Sequence, residues 1–384
     1  MHYLKVKRVT NWWVTLVLLL PCLLLADSHS SDQVPPASAA VQAMIMDLGL
    51  RESDVPVREM PGWNRPLKVV GWVDRPDRLV GLQELAPGVE IVLVDSQEQA
   101  IAEATDAQVL LGFCNEAIFS QAPQLHWVQV YSSGVEKCVA QPGLHIGEKL
   151  LTNGQAIGSP ALAEHAIALM MALVRGLDVY HSNQLQGTWQ RDTGMQREQF
   201  MELDGRTVLI VGLGGIGTQT AKRAHGLGMR VIATRGSRRE GPDYVDYVGL
   251  ADEVLALAAQ ADVVINTAPL TERTRGMFNT EFFAAMKPSA YFVSVGRGGS
   301  TVTTDLVAAL ESGAIAGAGL DVTDPEPLPD GHVLWTMPRV IISPHSGGRS
   351  DKGRDRLFLL VQENLRRYVA GEPMLSVVDI ERGY

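Results

Sequence analysis

Val208-Leu209-Ile210-Val211-Gly212-Leu213-Gly214-Gly215-Ile216-Gly217 carries an apolar, β-branched run straight into a GxGxxG pattern. The run predicts a buried strand, and the residues after the glycines, 218–227, predict a helix. In a strand–turn–helix each glycine has its own task. Gly212 makes the tight turn, Gly214 lets a pyrophosphate approach the backbone, and Gly217 packs helix against strand. Free N–H groups of Gly215 and Ile216 at the helix start then face the phosphates. This stretch decides the fold: a doubly wound α/β sheet that binds a dinucleotide.

The following strand, Val231-Ile232-Ala233-Thr234, should end in Asp or Glu if the site is to hold the adenine ribose 2′-hydroxyl of NAD. From Thr218 to Arg239 the chain has no acidic residue. Arg235 occupies the place, with Ser237, Arg238 and Arg239 beyond it. A guanidinium there can fork onto a 2′-phosphate, which a carboxylate would repel. NADP(H) is therefore expected over NAD(H), although NAD(H) stays possible. The competing reading makes the arginine run a solvated loop.

Outside this site the composition is globular. The chain has 384 residues, 46% hydrophobic and 20% charged, enough for two sizeable cores. Its net charge of −10 works against nonspecific nucleic-acid binding, so no nucleic-acid partner is expected. Three cysteines (Cys22, Cys114, Cys138) show no CxxC or His/Cys ligand spacing. Neither a metal site nor a disulfide framework is indicated, and no metal is expected; Cys114 and Cys138 read as small core or loop residues, with a disulfide as the alternative in an exported protein.

Residues 1–30 read as a signal-like segment: Lys5, Lys7 and Arg8, a short apolar run from Trp12 broken at Pro21, then Ala26, Ser28 and Ser30. That pattern points to export or anchoring, whereas a soluble nicotinamide cofactor points to the cytoplasm. Residues 31–66, rich in Pro, Ala and Ser, read as a leader with one amphipathic piece at 39–50. Predicted strands then lie at 67–73, 90–94, 107–113, 125–131 and 150–153. A helix opens at Ser159-Pro160 and is expected to run to about 186, since serine can cap and proline suits the first turn. Further strands are expected at 206–211, 230–233, 263–267, 291–295, 317–321 and 340–343, and an amphipathic helix at 351–368 could return to the first domain. Such alternation implies parallel sheets covered on both faces.

Three loops, each after an apolar strand, carry the expected chemistry: Ser294-Val295-Gly296-Arg297-Gly298-Gly299, Asp321-Val322-Thr323-Asp324-Pro325-Glu326-Pro327 and Pro344-His345-Ser346-Gly347-Gly348. Open α/β sheets bind ligands at strand C-terminal ends. Arginine can hold a substrate carboxylate and polarise its carbonyl. Histidine can donate a proton to the oxygen as hydride reaches carbon, and a carboxylate keeps that histidine charged and oriented.

With these motifs the sequence resembles the D-isomer-specific 2-hydroxyacid dehydrogenases over residues 67–370. Gly296-Arg297-Gly298, Asp321 through Pro327, and Pro344-His345 match the family's arginine, acid and histidine motifs. The resemblance implies a flavodoxin-like substrate domain (67–185 with 346–384) and a Rossmann cofactor domain (186–345). It makes Arg297, Glu326 and His345 the catalytic set, and brings Asp321 to the nicotinamide carboxamide. Ser132-Ser133-Gly134-Val135 would bind the substrate carboxylate, through Ser133 and Gly134 with Arg297. Ala268, Pro269 and Thr271 would line the cofactor, and Glu164-His165 would be a domain-packing pair. Ser294 stands where many members have Asn, so a supporting hydrogen bond should differ. Glu326, in place of the glutamine of formate-specific relatives, favours hydroxy-acid chemistry. The partner implied is a small 2-keto or 2-hydroxy acid, and the assembly a homodimer through the cofactor domain. The arginine at the adenine site is similar to that of NADP-preferring glyoxylate and hydroxypyruvate reductases. Two other functions fit the scaffold: oxidation of another small anion such as phosphite, and dinucleotide sensing by a corepressor-like protein.

Overall fold

The computed structural model describes residues 34–72, 77–191 and 200–381. The signal-like segment lies outside them. Among the described residues twelve strands form two sheets, all of whose strand pairs are parallel. The first holds β1 (Lys68–Gly71), β2 (Glu90–Leu93), β3 (Val109–Leu111), β4 (Trp127–Gln129) and β5 (Leu150–Thr152), in the order β2-β1-β3-β4-β5. The second holds β6 (Thr207–Val211), β7 (Arg230–Arg235), β8 (Tyr247–Leu250), β9 (Val263–Asn266), β10 (Tyr291–Ser294), β11 (Gly317–Leu320) and β12 (Val340–Ile342). Its order, β12-β11-β10-β9-β6-β7-β8, reverses direction between β6 and β9, so the GxGxxG turn after β6 opens on the switch point. The inner strands are buried throughout because helices cover both faces, which is why they read as continuous apolar runs.

Three expectations are corrected. The helix from Ser159 does not continue to 186: Ser159–Val174 ends at Arg175, and Gly176 at φ +63° starts a separate helix, Leu177–Leu185. The first buries Ala166, Leu169, Met170 and Leu173 in the core of the second sheet, while the second buries nothing, so no apolar stripe keeps the two collinear. The segment before β1 is no loose leader. Its helix Ala39–Leu48 packs Met44 and Leu48 against Leu360 and Leu375, and Val57, Met60 and Trp63 join the core under the first sheet. Tyr247–Leu250 is a strand that the sequence reading passes over.

The returning helix Gly353–Ala370 places Val361, Leu365, Tyr368 and Val369 against Val69, Val109, Leu111 and Trp127. Its buried Glu363 is satisfied by Arg366 (2.9 Å) and Arg367 (2.6 Å), and Arg367 reaches Glu52 before β1 (2.9 Å). A buried carboxylate without those guanidiniums would cost several kcal/mol. The segment before β1 and the returning helix therefore both lock onto the first sheet.

Cys114 and Cys138 are joined, with Cα atoms 5.5 Å apart, so the disulfide alternative holds in place of the reading as free core or loop residues. Fold contacts bring them together, since Cys114 follows β3 and Cys138 sits in the short helix Glu136–Val139. A crosslink at a separation of 24 residues should stabilise the first half by about 3 kcal/mol. Reduction, or Cys138→Ser, is expected to lower the melting temperature by ~5 °C or more. An unchanged Tm under reducing conditions would show that the bond contributes nothing.

Candidate active site

The phosphate turn is built by close approach. Gly212 has φ +98°, a conformation open to glycine, and a Cβ there would lie 2.8 Å from the Ala268 Cα. A Cβ on Gly217 would collide with the Gly212 carbonyl, so helix and turn touch backbone to backbone. At Gly214 the Cβ position meets nothing within 4 Å. The three glycines thus divide as the motif requires: two for packing, one left open. The helix Gly215–Gly226 begins three residues earlier than predicted, which turns the N–H groups of Gly215 and Ile216 toward that opening. Thr267 Oγ1 donates to the Gly212 carbonyl at 2.7 Å and fixes the turn.

Beyond β7 the arginine run divides. Arg239 pairs with Glu253 at 2.7 Å and bonds Tyr247. Arg235 and Arg238 have no ion-pair partner among the described residues, and the Arg235 Nε is buried without a hydrogen bond there. Burial, then the neighbouring Arg238 and Arg51, weaken the hold of the Arg235 guanidinium on its proton. These residues fit a dinucleotide with an anionic group on its adenine ribose. Ser237 is exposed beside them.

At the C-terminal ends of β9 to β12 the three expected loops converge. Asn266 organises the first: its Nδ2 donates to Ser294 Oγ (3.0 Å) and Ser300 Oγ (2.9 Å), and its Oδ1 accepts from the Ala268 amide (3.0 Å). Ser300 Oγ donates to the Arg297 carbonyl at 2.6 Å, and a Cβ on Gly298 would overlap the Thr323 carbonyl. The arginine loop is wedged against the acid loop. Pro269 and Thr271 follow Ala268, with Thr274 Oγ1 donating to the Pro269 carbonyl at 2.6 Å and contacting Thr271 Oγ1 at 3.1 Å.

Arg297 crosses to the first sheet. Its Nε bonds Glu136 Oε1 at 3.1 Å, and its Nη2 lies 2.7 Å from where a Gly134 Cβ would sit. The segment Ser132-Ser133-Gly134 therefore abuts the guanidinium, as the substrate-carboxylate reading needs. The loop is itself braced: Ser133 Oγ donates to the Gly154 carbonyl (2.9 Å) and Asn153 Nδ2 to the Ser133 carbonyl (2.8 Å). Burial raises the Glu136 carboxyl, but its backbone amide, Arg297 and His345 outweigh this and hold it below the usual carboxylate range. Sequence reasoning missed Glu136. Its only local signal is an acid directly after the Ser132–Val135 stretch.

His345 Nδ1 meets Glu326 Oε1 at 2.6 Å, with both side chains nearly half exposed. The histidine sits in the left-handed region at φ +50°, which costs a non-glycine residue about 1 kcal/mol or more. Its loop is held there by Asp321: the Asp321 carbonyl accepts from the His345 amide (2.8 Å), and its carboxylate accepts from Ser343 Oγ (2.7 Å), Ser346 N (3.0 Å) and Gly347 N (3.0 Å). Asp321 is 1% exposed, and its carboxylate is taken up by the histidine loop. His165 bonds Ser343 Oγ at 2.7 Å, and Glu164 pairs with Arg223 at 2.7 Å. Both residues pack the long helix on the cofactor half. Trp72 and Tyr131 border the first-sheet side, where Tyr131 OH donates to the Trp72 carbonyl at 2.5 Å.

Two parallel sheets, a phosphate turn at the switch point and an arginine with a histidine–carboxylate pair define a nicotinamide-dinucleotide oxidoreductase. The comparisons name the family. Residues 167–347 match the model of the D-isomer specific 2-hydroxyacid dehydrogenase, NAD binding domain. A glyoxylate reductase of Pyrococcus furiosus is 33% identical over 295 residues, which is 74% of this chain and 86% of the relative. A glyoxylate/hydroxypyruvate reductase A of Photorhabdus laumondii is 31% identical over 265 residues, 68% and 82% of the two chains. An NADPH-dependent glyoxylate/hydroxypyruvate reductase of Sinorhizobium meliloti, solved with NADP and sulfate, superposes with a TM-score of 0.69 at 26% identity, covering 83% of this chain and 99% of that one. This chain belongs to the D-isomer-specific 2-hydroxyacid dehydrogenase family and is an NAD(P)-dependent oxidoreductase of 2-keto and 2-hydroxy acids.

Proposed function

We propose that the enzyme reduces a small 2-keto acid of the glyoxylate or hydroxypyruvate type to the D-2-hydroxy acid with NADPH. The observation that carries this reading is the His345–Glu326 pair at 2.6 Å, in loops beside that of Arg297, whose guanidinium abuts Gly134. Gly212, Gly214 and Gly217 would seat the pyrophosphate, Ala268 and Pro269 the nicotinamide side, and Arg235 with Ser237 and Arg238 the 2′-phosphate. A reduced nicotinamide bound there would supply the hydride that the carbonyl carbon accepts. Arg297 and the Ser133-Gly134 backbone hold the substrate carboxylate, and the guanidinium draws electron density toward the carbonyl oxygen. The His345 imidazolium releases its Nε2 proton to that oxygen, while Glu326 on Nδ1 holds the ring in place. One hydride and one proton added to C=O give the hydroxy acid.

NADPH consumption with glyoxylate, hydroxypyruvate, pyruvate and bulkier keto acids tests the reading, with chiral analysis of the product. Turnover of phosphite alone would favour the anion-oxidising alternative, and cofactor binding with no turnover the sensing one. The domain division at 67–185 with 346–384 and 186–345 belongs to the same reading, as does a homodimer through the cofactor half. Light scattering tests the latter. Arg297→Lys should raise KM for the keto acid about 10-fold, because a point charge cannot replace the planar fork. NADPH affinity should stay as it was. A KM that hardly moves would place the carboxylate elsewhere.

A further inference from the structure

The segment before β1 reaches the cofactor half of the molecule. Gln219 Nε2, on the helix that follows the phosphate turn, donates to the Asp47 carbonyl at 3.2 Å. Gly49 (φ +61°) ends the helix Ala39–Leu48, and Leu50 tucks into the small core formed with Ile157. The loop before Ile157 is itself against the phosphate turn, since a Gly215 Cβ would lie 3.4 Å from the Ala156 Cβ. Arg51 comes next in the chain. Its carbonyl accepts from the Ser376 amide at 3.1 Å, which anchors the backbone, while its side chain is exposed with no partner among the described residues.

We propose that Arg51 is a third cation of the 2′-phosphate site, delivered by the segment before β1 to stand with Arg235 and Arg238. The inference rests on the NADPH reading above and extends it to a part of the chain outside the dinucleotide fold. Gly212 and Leu213 bond the Thr234 carbonyl beside Arg235, and Ala156, next to the Ile157 that Leu50 packs on, abuts Gly215, so Arg51 and Arg235 both border the phosphate turn. The charges of Arg51 and Arg238 bear on Arg235, and Glu240 opposes them. Like charges gathered with so little compensation destabilise a folded chain, so an anion is the natural occupant. A phosphate dianion has acceptor oxygens for several guanidinium N–H groups, and the orphaned Arg235 Nε shows capacity unused by the protein. Arg51 packs with the first sheet and Arg235 ends a strand of the second. A phosphate between them ties the two halves in a way that NADH cannot.

The test is equilibrium binding of NADPH, NADH and 2′-phospho-ADP-ribose to the full-length protein, followed by nucleotide and tryptophan fluorescence. Arg51→Ala should weaken NADPH and the 2′-phosphorylated fragment about 3- to 10-fold at low salt, between an exposed ion pair and a bond to a charged group. NADH should bind as before. Arg51→Lys should recover most of the loss, and 0.5 M KCl should shrink the difference between wild type and Arg51→Ala. Equal weakening of NADPH and NADH, or no change for either, would overturn the proposal. If wild type itself does not distinguish NADPH from NADH, the NADPH reading falls and takes this inference with it. If wild type prefers NADPH and Arg51→Ala keeps the full preference, this inference falls alone. Because the Arg51 side chain is exposed and its backbone bonds survive substitution, the variants should melt with the parent, which circular dichroism checks.

Discussion

His345→Ala should lower keto-acid reduction by at least ~10²-fold while NADPH binds as it does to the unaltered enzyme, the scale for losing a positioned general acid. The argument is geometric. The ring is fixed at one nitrogen by Glu326 at 2.6 Å, which leaves Nε2 as the nitrogen able to face a substrate. Its backbone is held at φ +50° by bonds to Asp321, and such a conformation persists where surrounding contacts enforce it. Among the described residues no hydrogen bond runs from the imidazole to the phosphate turn or to Arg235, so cofactor affinity is separable from turnover. Stopped-flow reduction and fluorescence titration of the same variant read the two quantities. Unchanged turnover would remove His345 from the mechanism. Turnover and NADPH affinity lost together would mean that the side chain holds the loops and not the proton.

Arg235→Asp is expected to reverse or abolish the proposed preference for NADPH. A 2′-phosphate bonded by one partly solvated guanidinium is worth about 1.5–3 kcal/mol, the range for hydrogen bonds to charged groups. That is roughly 10- to 150-fold in favour of NADPH at 1.4 kcal/mol per decade. The aspartate removes the attraction, adds repulsion, and supplies the carboxylate that an NAD site uses on the ribose hydroxyl. The comparison is kcat/KM for NADPH and NADH in wild type and variant. Preference for NADH in wild type would make Arg235 a bystander. Arg239 serves as an internal control: already paired with Glu253, it should matter little to either cofactor.

Strands and the phosphate turn were legible because their causes are local. A buried parallel strand must be apolar over successive residues, and a backbone that approaches a phosphate must lack a side chain, so Val208 to Gly217 carries its structure within ten residues. The arginine, acid and histidine loops were legible for a related reason. Each ends a strand of one sheet, and parallel topology sends all such ends to the same edge. Helix continuity was misread at Gly176 because an apolar period up to Val174 does not show whether the next turn has anything to pack against.

By itself the sequence determined the class of fold, the dinucleotide turn with its missing acid, and the residue types of the candidate catalytic set. Only the tertiary structure decided which partners those residues have. Arg297 and Glu136 are separated by 161 positions, and their pairing requires the two sheets to face each other. Asp321 holds the histidine loop because Ser343, Ser346 and Gly347 fold over it. Cys114 meets Cys138, and the segment before β1 becomes part of the core because it and the returning helix cover the same sheet. Local pattern states what a residue is suited to do. Contact between distant segments, which conformational entropy opposes until the whole core is buried, states what it touches.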